Sequence, residues 1–154
     1  MILSGQSIRK RRLIYPFHER TTEHGMTYGL GPAGYDVRIA ESLVVPRGEA
    51  RLASTMEHFA MDTDVLGKVA DKSTWARRFL AVQNTIIEPG WRGYLTLELS
   101  NHGEQDIYLT RGMPIAQIIF HMLDFPAERP YQGKYQDQMP GAVEAILETG
   151  EAAE

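Results

Sequence analysis

A chain of 154 residues, 43% hydrophobic and 23% charged, has room for a real core and the composition of an ordinary soluble globular protein. Its net charge of −4 argues against a duplex-coating nucleic-acid binder, which needs a basic surface, but leaves room for a small anion held by a few cations in a cleft. With no cysteine it can form no disulfide scaffold, no Cys-based zinc site and no thiol nucleophile.

The chain opens with "MILSGQSIRKRR", which lacks the apolar core of a secretory leader. No later run approaches the ~18 residues of a membrane span, so a cytoplasmic location and no membrane partner are expected. "LSGQSIRKRRL" predicts a short helix with Ser4 as N-cap and Arg9 to Arg12 at the far end, where cations suit the helix dipole. Those four cations could form a nucleic-acid patch, but a solvated face explains them more simply.

From Tyr35 onward, short apolar or alternating runs follow one another: "YDVRIA", "SLVV", "ARLAST", "GKVAD", "FLAVQNTII", "YLTLELS", "DIYLT" and "IAQIIFHML". Strands at this spacing predict an all-β barrel or sandwich. "PRGE", "NHGE", "EPGW" and "RGMP" are turn chemistry, with Pro fixing φ and Gly supplying positive φ. Residues 1–154 read as one domain, with 139–154 a tail or lid in which "VEAIL" is weakly amphipathic, a mobile tail or a short terminal helix.

Three stretches carry potential chemistry. In "YLTLELS", period-two alternation sends Leu95, Leu97 and Leu99 into the core and Tyr94, Thr96, Glu98 and Ser100 the other way. A carboxylate on such a face is wetted by default. In "DKSTWARRF", a helical turn over Lys72 to Arg77 puts Ser73 and Arg77 on one face, with Asp71 as N-cap and Lys72 beside an anion-binding helix start. The alternative is a surface turn with a charged pair. "RPYQGKYQDQ", from Arg129 to Gln138, suits closing over a planar polar ligand, with Tyr stacking and Lys on phosphate; the alternative is an exposed loop.

In order and spacing, "AGYDVRIA", "KSTWAR", "IEPGWRGYLTLELSN", "RGMPIAQIIF" and "GKYQDQ", after the opening "MILSGQSIRK", resemble the dCTP deaminase family of the trimeric dUTPase superfold. The resemblance implies a mainly β, distorted β-barrel (dUTPase-like, β-clip type) that assembles as a homotrimer with active sites between subunits. It implies zinc-independent hydrolysis of dCTP to dUTP and ammonia, in keeping with a chain that lacks the cysteines of the zinc deaminase signature. His18, His24, His58, His102 and His121 are too scattered to replace them.

The same resemblance makes Glu98 the catalytic proton shuttle, with Ser73 and Arg77 holding the water and the glutamate. It lines the nucleotide with Lys72, Ser73, Thr74, Trp75, Ala76 and Arg77, sets Glu88 near the deoxyribose, and runs Thr96, Leu97 and Glu98 along the base. Tyr131, Lys134 and Gln138 match a C-terminal clamp on base and triphosphate. Magnesium rides on the phosphates, with no protein cage.

Arg78 and Phe79 stand where the family more often has a small residue and Gly, "GKYQDQ" runs into "MPGAV" rather than the usual Gly-containing continuation, and the chain is shorter than usual, in the manner of phage-like members. These departures leave open dCMP or a C5-modified deoxycytidine nucleotide as substrate. The nearest rival is a dUTPase, with Glu88 in the place of its acid, or a bifunctional enzyme. A rival of another class is a non-catalytic nucleotide-binding regulator, to which a proton shuttle would be of no use.

Overall fold

Closely spaced turns and alternating apolar residues give a chain that is almost entirely β. The computed structural model describes residues 1–149. Its largest sheet runs in the order β2 (Thr21–Glu23), β3 (Met26–Leu30), β4 (Tyr35–Arg38), β12 (Pro114–Met122), β7 (Val65–Asp71) and β9 (Ile86–Ile87). A second sheet runs β1 (Ile14–Tyr15), β6 (Ala50–Ala60), β10 (Arg92–Asn101) and β8 (Leu80–Val82), and β5 (Leu43–Val45) pairs with β11 (Ile107–Leu109).

The core lies where the two larger sheets face each other. Tyr35, Val37, Ile118 and Phe120 come from one sheet, Ala53, Phe59, Leu97 and Leu99 from the other, and all are fully buried. Each large apolar side chain removed from water in this way contributes about 1.5–3 kcal/mol.

The N-terminal helix α1 (Gly5–Arg11) forms as expected, but the Ser4 side chain does not cap it. Ser4 Oγ instead lies 3.3 Å from Ser7 Oγ, and the first turn is closed by the Ser4 carbonyl accepting from the N–H groups of Ser7 and Ile8. The basic end is not a free patch, because Arg9 pairs with Glu19 at 2.6 Å and Arg11 bridges Asp62 and Asp64, both at 2.8 Å.

Three strands, β1 to β3, lie in a stretch for which the sequence analysis expects none. β2 and β3 form a hairpin over His24-Gly25, with φ of 50° and 72°, the left-handed pair that a tight two-residue turn demands. The expected strand "FLAVQNTII" is two strands, β8 and β9, in different sheets, separated by Gln83 to Thr85. "VEAIL" forms no helix, and residues 150–154 of the expected tail lie outside the described residues. Among the described residues no helix is long and apolar enough to cross a membrane.

Candidate active site

The cavity begins where β8 leaves β10. The two strands pair only from Leu99 to Asn101, opposite Val82 to Leu80, and beyond Val82 the chain crosses to β9. The exposed edge of β10 is finished by the connecting loop. Gln83 N donates to the Glu98 carbonyl at 2.8 Å, Asn84 Nδ2 donates to the Thr96 carbonyl at 2.7 Å, and Asn84 Oδ1 accepts from Glu98 N at 3.2 Å. The gap left by the missing strand is part of a cavity of about 750 Å³ into which Asn84, Glu88, Thr96 and Glu98 face.

On its other edge β10 pairs with β6, and there the register slips. Tyr94 lies opposite His58 and Thr96 opposite Ser54, so β6 spends two more residues than β10 across this step. The slip interrupts the alternation at Leu95, whose N–H donates to Thr55 Oγ1 at 3.0 Å and whose side chain lines the cavity beside Thr96 and Glu98. Leu95 therefore joins Leu97 and Leu99 only in part: it is half-buried, packed against the core on one side and lining the cavity on the other. Ser100 departs in the other direction: it is buried, with its hydroxyl 2.9 Å from His102 Nε2.

Glu98 is half-buried, and its Oε2 is a buried oxygen with no hydrogen-bond partner among the described residues. Burial pushes its carboxyl above the usual glutamate range, opposed by a backbone hydrogen bond. A buried acceptor left without a donor is costly and rare, which marks this oxygen out.

Opposite β10, the segment from Pro130 to Gln138 is no free loop. Tyr131 N donates to the Pro89 carbonyl, Trp91 Nε1 to the Tyr135 carbonyl at 2.7 Å, Asp137 N to the Arg92 carbonyl, and Tyr94 N to the Gln138 carbonyl. Gly93 permits this docking: a Cβ there would meet Gln138 N at 2.7 Å, and its φ of 147° suits glycine. Tyr131, Lys134, Tyr135 and Gln138 thereby line the same cavity as Glu98. Gln138 Nε2 and Val143 N both donate to Thr96 Oγ1, at 2.6 and 3.0 Å, and Lys134 Nζ lies 3.0 Å from Glu148 Oε1.

The turn that carries Ser73 and Arg77 is elsewhere. It is α2 (Ser73–Ala76), and none of Lys72 to Arg77 lines the cavity. Ser73, Thr74, Ala76 and Arg77 are exposed. Asp71 is not the N-cap but the last residue of β7, its carboxylate accepting from Val82 N at 2.8 Å, and Lys72 takes the capping position. Nor is the Lys72 amine free for an anion: it is buried, 2.6 Å from Asp36 Oδ2, while Gln117 Nε2 donates to Asp36 Oδ1 at 3.1 Å. The Trp75 side chain belongs to the core, its Nε1 donating to the Pro114 carbonyl at 2.7 Å, and Leu97 is fully buried, so only the main chain of these two can face a ligand. Within one chain the Lys72 to Arg77 turn and the cavity that Glu98 lines are thus separate places.

Asn84, Tyr135 and Glu148 are cavity residues that the sequence analysis does not pick out. Asn84 follows a short apolar run in the manner of a turn residue, but its role depends on β8 and β9 lying in different sheets. Among the described residues, no three of His, Cys, Asp and Glu are grouped so as to hold a metal ion.

A family model described as dCTP deaminase-like matches residues 35–123. The dCTP deaminase of Thermococcus sibiricus is 36% identical over 152 residues, covering 88% of this chain and 92% of its own. Among solved structures, the 2'-deoxycytidine 5'-triphosphate deaminase of Agrobacterium tumefaciens superposes with a TM-score of 0.64 at 19% identity, covering 79% of this chain and 47% of that one. The EIAV dUTPase superposes with a TM-score of 0.59 at 20% identity, covering 79% of this chain and 97% of that one. At these identities the two structures show the shared dUTPase-like fold.

Proposed function

The chain belongs to the dCTP deaminase family, and from that premise we propose that it is an enzyme that hydrolyses dCTP to dUTP and ammonia, with Glu98 as its proton shuttle. The observation that carries this reading is the partnerless, buried Oε2 of Glu98 facing a cavity of nucleotide size. As water adds to C4 of the cytosine ring, Glu98 accepts its proton and passes it to ring N3. It then moves the second proton from the new hydroxyl to the amino group, the C4–N bond breaks, and ammonia leaves. A carboxyl pushed up by burial is suited to both steps, because it gains and returns a proton near working pH.

Ser73 and Arg77 enter from a neighbouring subunit in this reading, which makes the assembly a homotrimer with active sites at the junctions. Support comes from the two half-sites of one chain, which a second copy would complete. The Ser73 hydroxyl can accept from or donate to the attacking water, and Arg77 stabilises the ionised glutamate. The neighbour's Lys72 to Arg77 turn, with Thr74 and Ala76, walls the nucleotide, and Trp75 contributes its main chain. Glu88 lies toward the deoxyribose, Thr96 and the Leu97 main chain run along the base, and Tyr131, Lys134 and Gln138 clamp base and phosphates. In this reading magnesium travels as part of the substrate, on its phosphates, with no dedicated protein cage. A net charge of −4 fits neither nucleic acid nor an anionic membrane surface as partner, and the cytoplasm, where free nucleotides are found, is the compartment this reading requires.

The test is ammonia release from magnesium-dCTP with chromatography of the products. The likeness to a dUTPase, together with Glu88 in the same cavity, favours a second reading in which diphosphate is also cut. dUTP with ammonia supports the first reading, dUMP and pyrophosphate from dUTP the second, and dUMP directly from dCTP a bifunctional enzyme. Turnover of dCMP or of C5-substituted analogues alone would move the substrate, and failure on every cytosine nucleotide would leave a binding protein.

A further inference from the structure

The edge of β10 beside the cavity is held in an unusual way. Along Leu99 to Asn101 a neighbouring strand completes it, whereas at Thr96 to Glu98 the Gln83 N–H takes the Glu98 carbonyl and one side chain takes the Thr96 carbonyl and the Glu98 N–H. Asn84 spans the main chain on either side of Leu97, donating to the Thr96 carbonyl at 2.7 Å and accepting from Glu98 N at 3.2 Å. A side-chain amide carries its donor and its acceptor on separate atoms, so it can engage two main-chain groups at once. A strand in this place would satisfy the same groups but fill the cavity. Leu97, fully buried between the two clamped residues, locks the register, so that Thr96 and Glu98 must face outward.

We propose that Asn84 is a positioning residue for Glu98: its amide stands in for the missing strand and fixes the direction of the carboxylate without touching the reacting atoms. The inference rests on the role given to Glu98 above. Two variants test it. Asn84→Ala removes both bonds, and kcat for ammonia release falls roughly tenfold while KM changes less than about twofold. Asn84→Asp keeps the acceptor, loses the donor and adds a like charge, so the acid limb of the kcat profile moves to higher pH. Unchanged kcat in Asn84→Ala overturns the proposal, as does a uniform loss of kcat, KM and thermal stability with the limb unmoved. Titration of the ¹³C-labelled Glu98 carboxyl in wild type and Asn84→Asp reads the same coupling without turnover, so it survives failure of the deaminase reading; equal titration midpoints would overturn the proposal on their own.

A second observation is independent of the first. Residues 139–149 lie over the cavity, where the Val143 N–H and Gln138 fill the acceptor capacity of the Thr96 hydroxyl. Ile146 N donates to the Tyr135 hydroxyl at 2.9 Å, and Glu148 pairs with Lys134, the one basic side chain among the described residues that line the cavity. We infer that this strap is a built-in competitor, with Glu148 occupying the place of a nucleotide phosphate on Lys134; this too rests on the nucleotide reading. The Glu148 side chain is 88% exposed, so its contact is weak and its removal leaves the fold intact. In calorimetric titration with magnesium-dCTP, Glu148→Gln is expected to bind roughly two- to fivefold tighter than wild type. Equal or weaker binding would overturn the inference, since a lid that closes over bound nucleotide loses affinity when its contact is cut. Inorganic tripolyphosphate, titrated in parallel, shows the same ordering even if cytosine is not the natural base.

Discussion

Two glutamates on neighbouring strands of one sheet meet burial in opposite ways. Glu57 of β6 is wholly enclosed, yet its carboxylate accepts from Arg38 Nε at 2.8 Å and from Arg38 N at 2.9 Å. Glu98 of β10 is less enclosed, yet one of its oxygens has no partner. Burial pushes both carboxyls up, and at Glu57 the main-chain N–H and guanidinium of Arg38 pull back, whereas at Glu98 only a backbone hydrogen bond does. Depth of burial is therefore not what sets a working acid apart. A structural carboxylate has its lone pairs filled by its own chain, and Glu98 leaves one for something that is not yet there.

The sharpest way to break this comparison is Glu98→Gln. Ammonia release is expected to fall by about 10³-fold or more, with magnesium-dCTP still bound in calorimetry. Near-normal turnover would make Glu98 as structural as Glu57. The reciprocal change is Arg38→Met, which strands a buried charge and should cost about 3–5 kcal/mol in urea denaturation. Replacing Arg38 and Glu57 together by apolar residues of similar size should recover most of that loss.

The smallest effect is in pH. Glu98 works as a base when ionised, so kcat falls as pH drops through its raised pKa, and the acid limb lies above the ordinary glutamate range. For stability the sign is opposite to that of a salt-bridged acid. A carboxyl raised on folding penalises the native state fully above its folded pKa, and the penalty fades as pH falls toward the unfolded value. Glu98→Gln should therefore melt higher than wild type at neutral pH and lose that advantage in acid. A constant difference across pH would show that folding does not raise the Glu98 carboxyl.

How much of this was legible depended on range. Strand periodicity over Tyr35 to Arg38 and Pro114 to Met122 stands in the chain because each residue's neighbours two apart share its face. The hairpin over His24-Gly25 went unread because β2, Thr21 to Glu23, has no apolar residue to mark it as partner to the alternating Met26, Tyr28 and Leu30 of β3. Trp75 and Leu97 stood as ligand contacts through the resemblance to the family, but their side chains pack inward, as the alternation had it for Leu97. Asn84 gave at most the signal of a turn residue, since its partners are twelve and fourteen residues away on a different strand.

Composition and local pattern alone determined that this chain is β-rich, lacks thiol chemistry, and carries an acid on the outward face of a long strand. Those properties follow from each residue and its near neighbours. Only the tertiary structure decided that β8 departs from β10, that the C-terminal segment docks beside it, and that Lys72 is spent on Asp36. Each of these depends on which distant backbone groups satisfy one another, and hydrogen bonds between strands leave no periodic trace in the strands that make them.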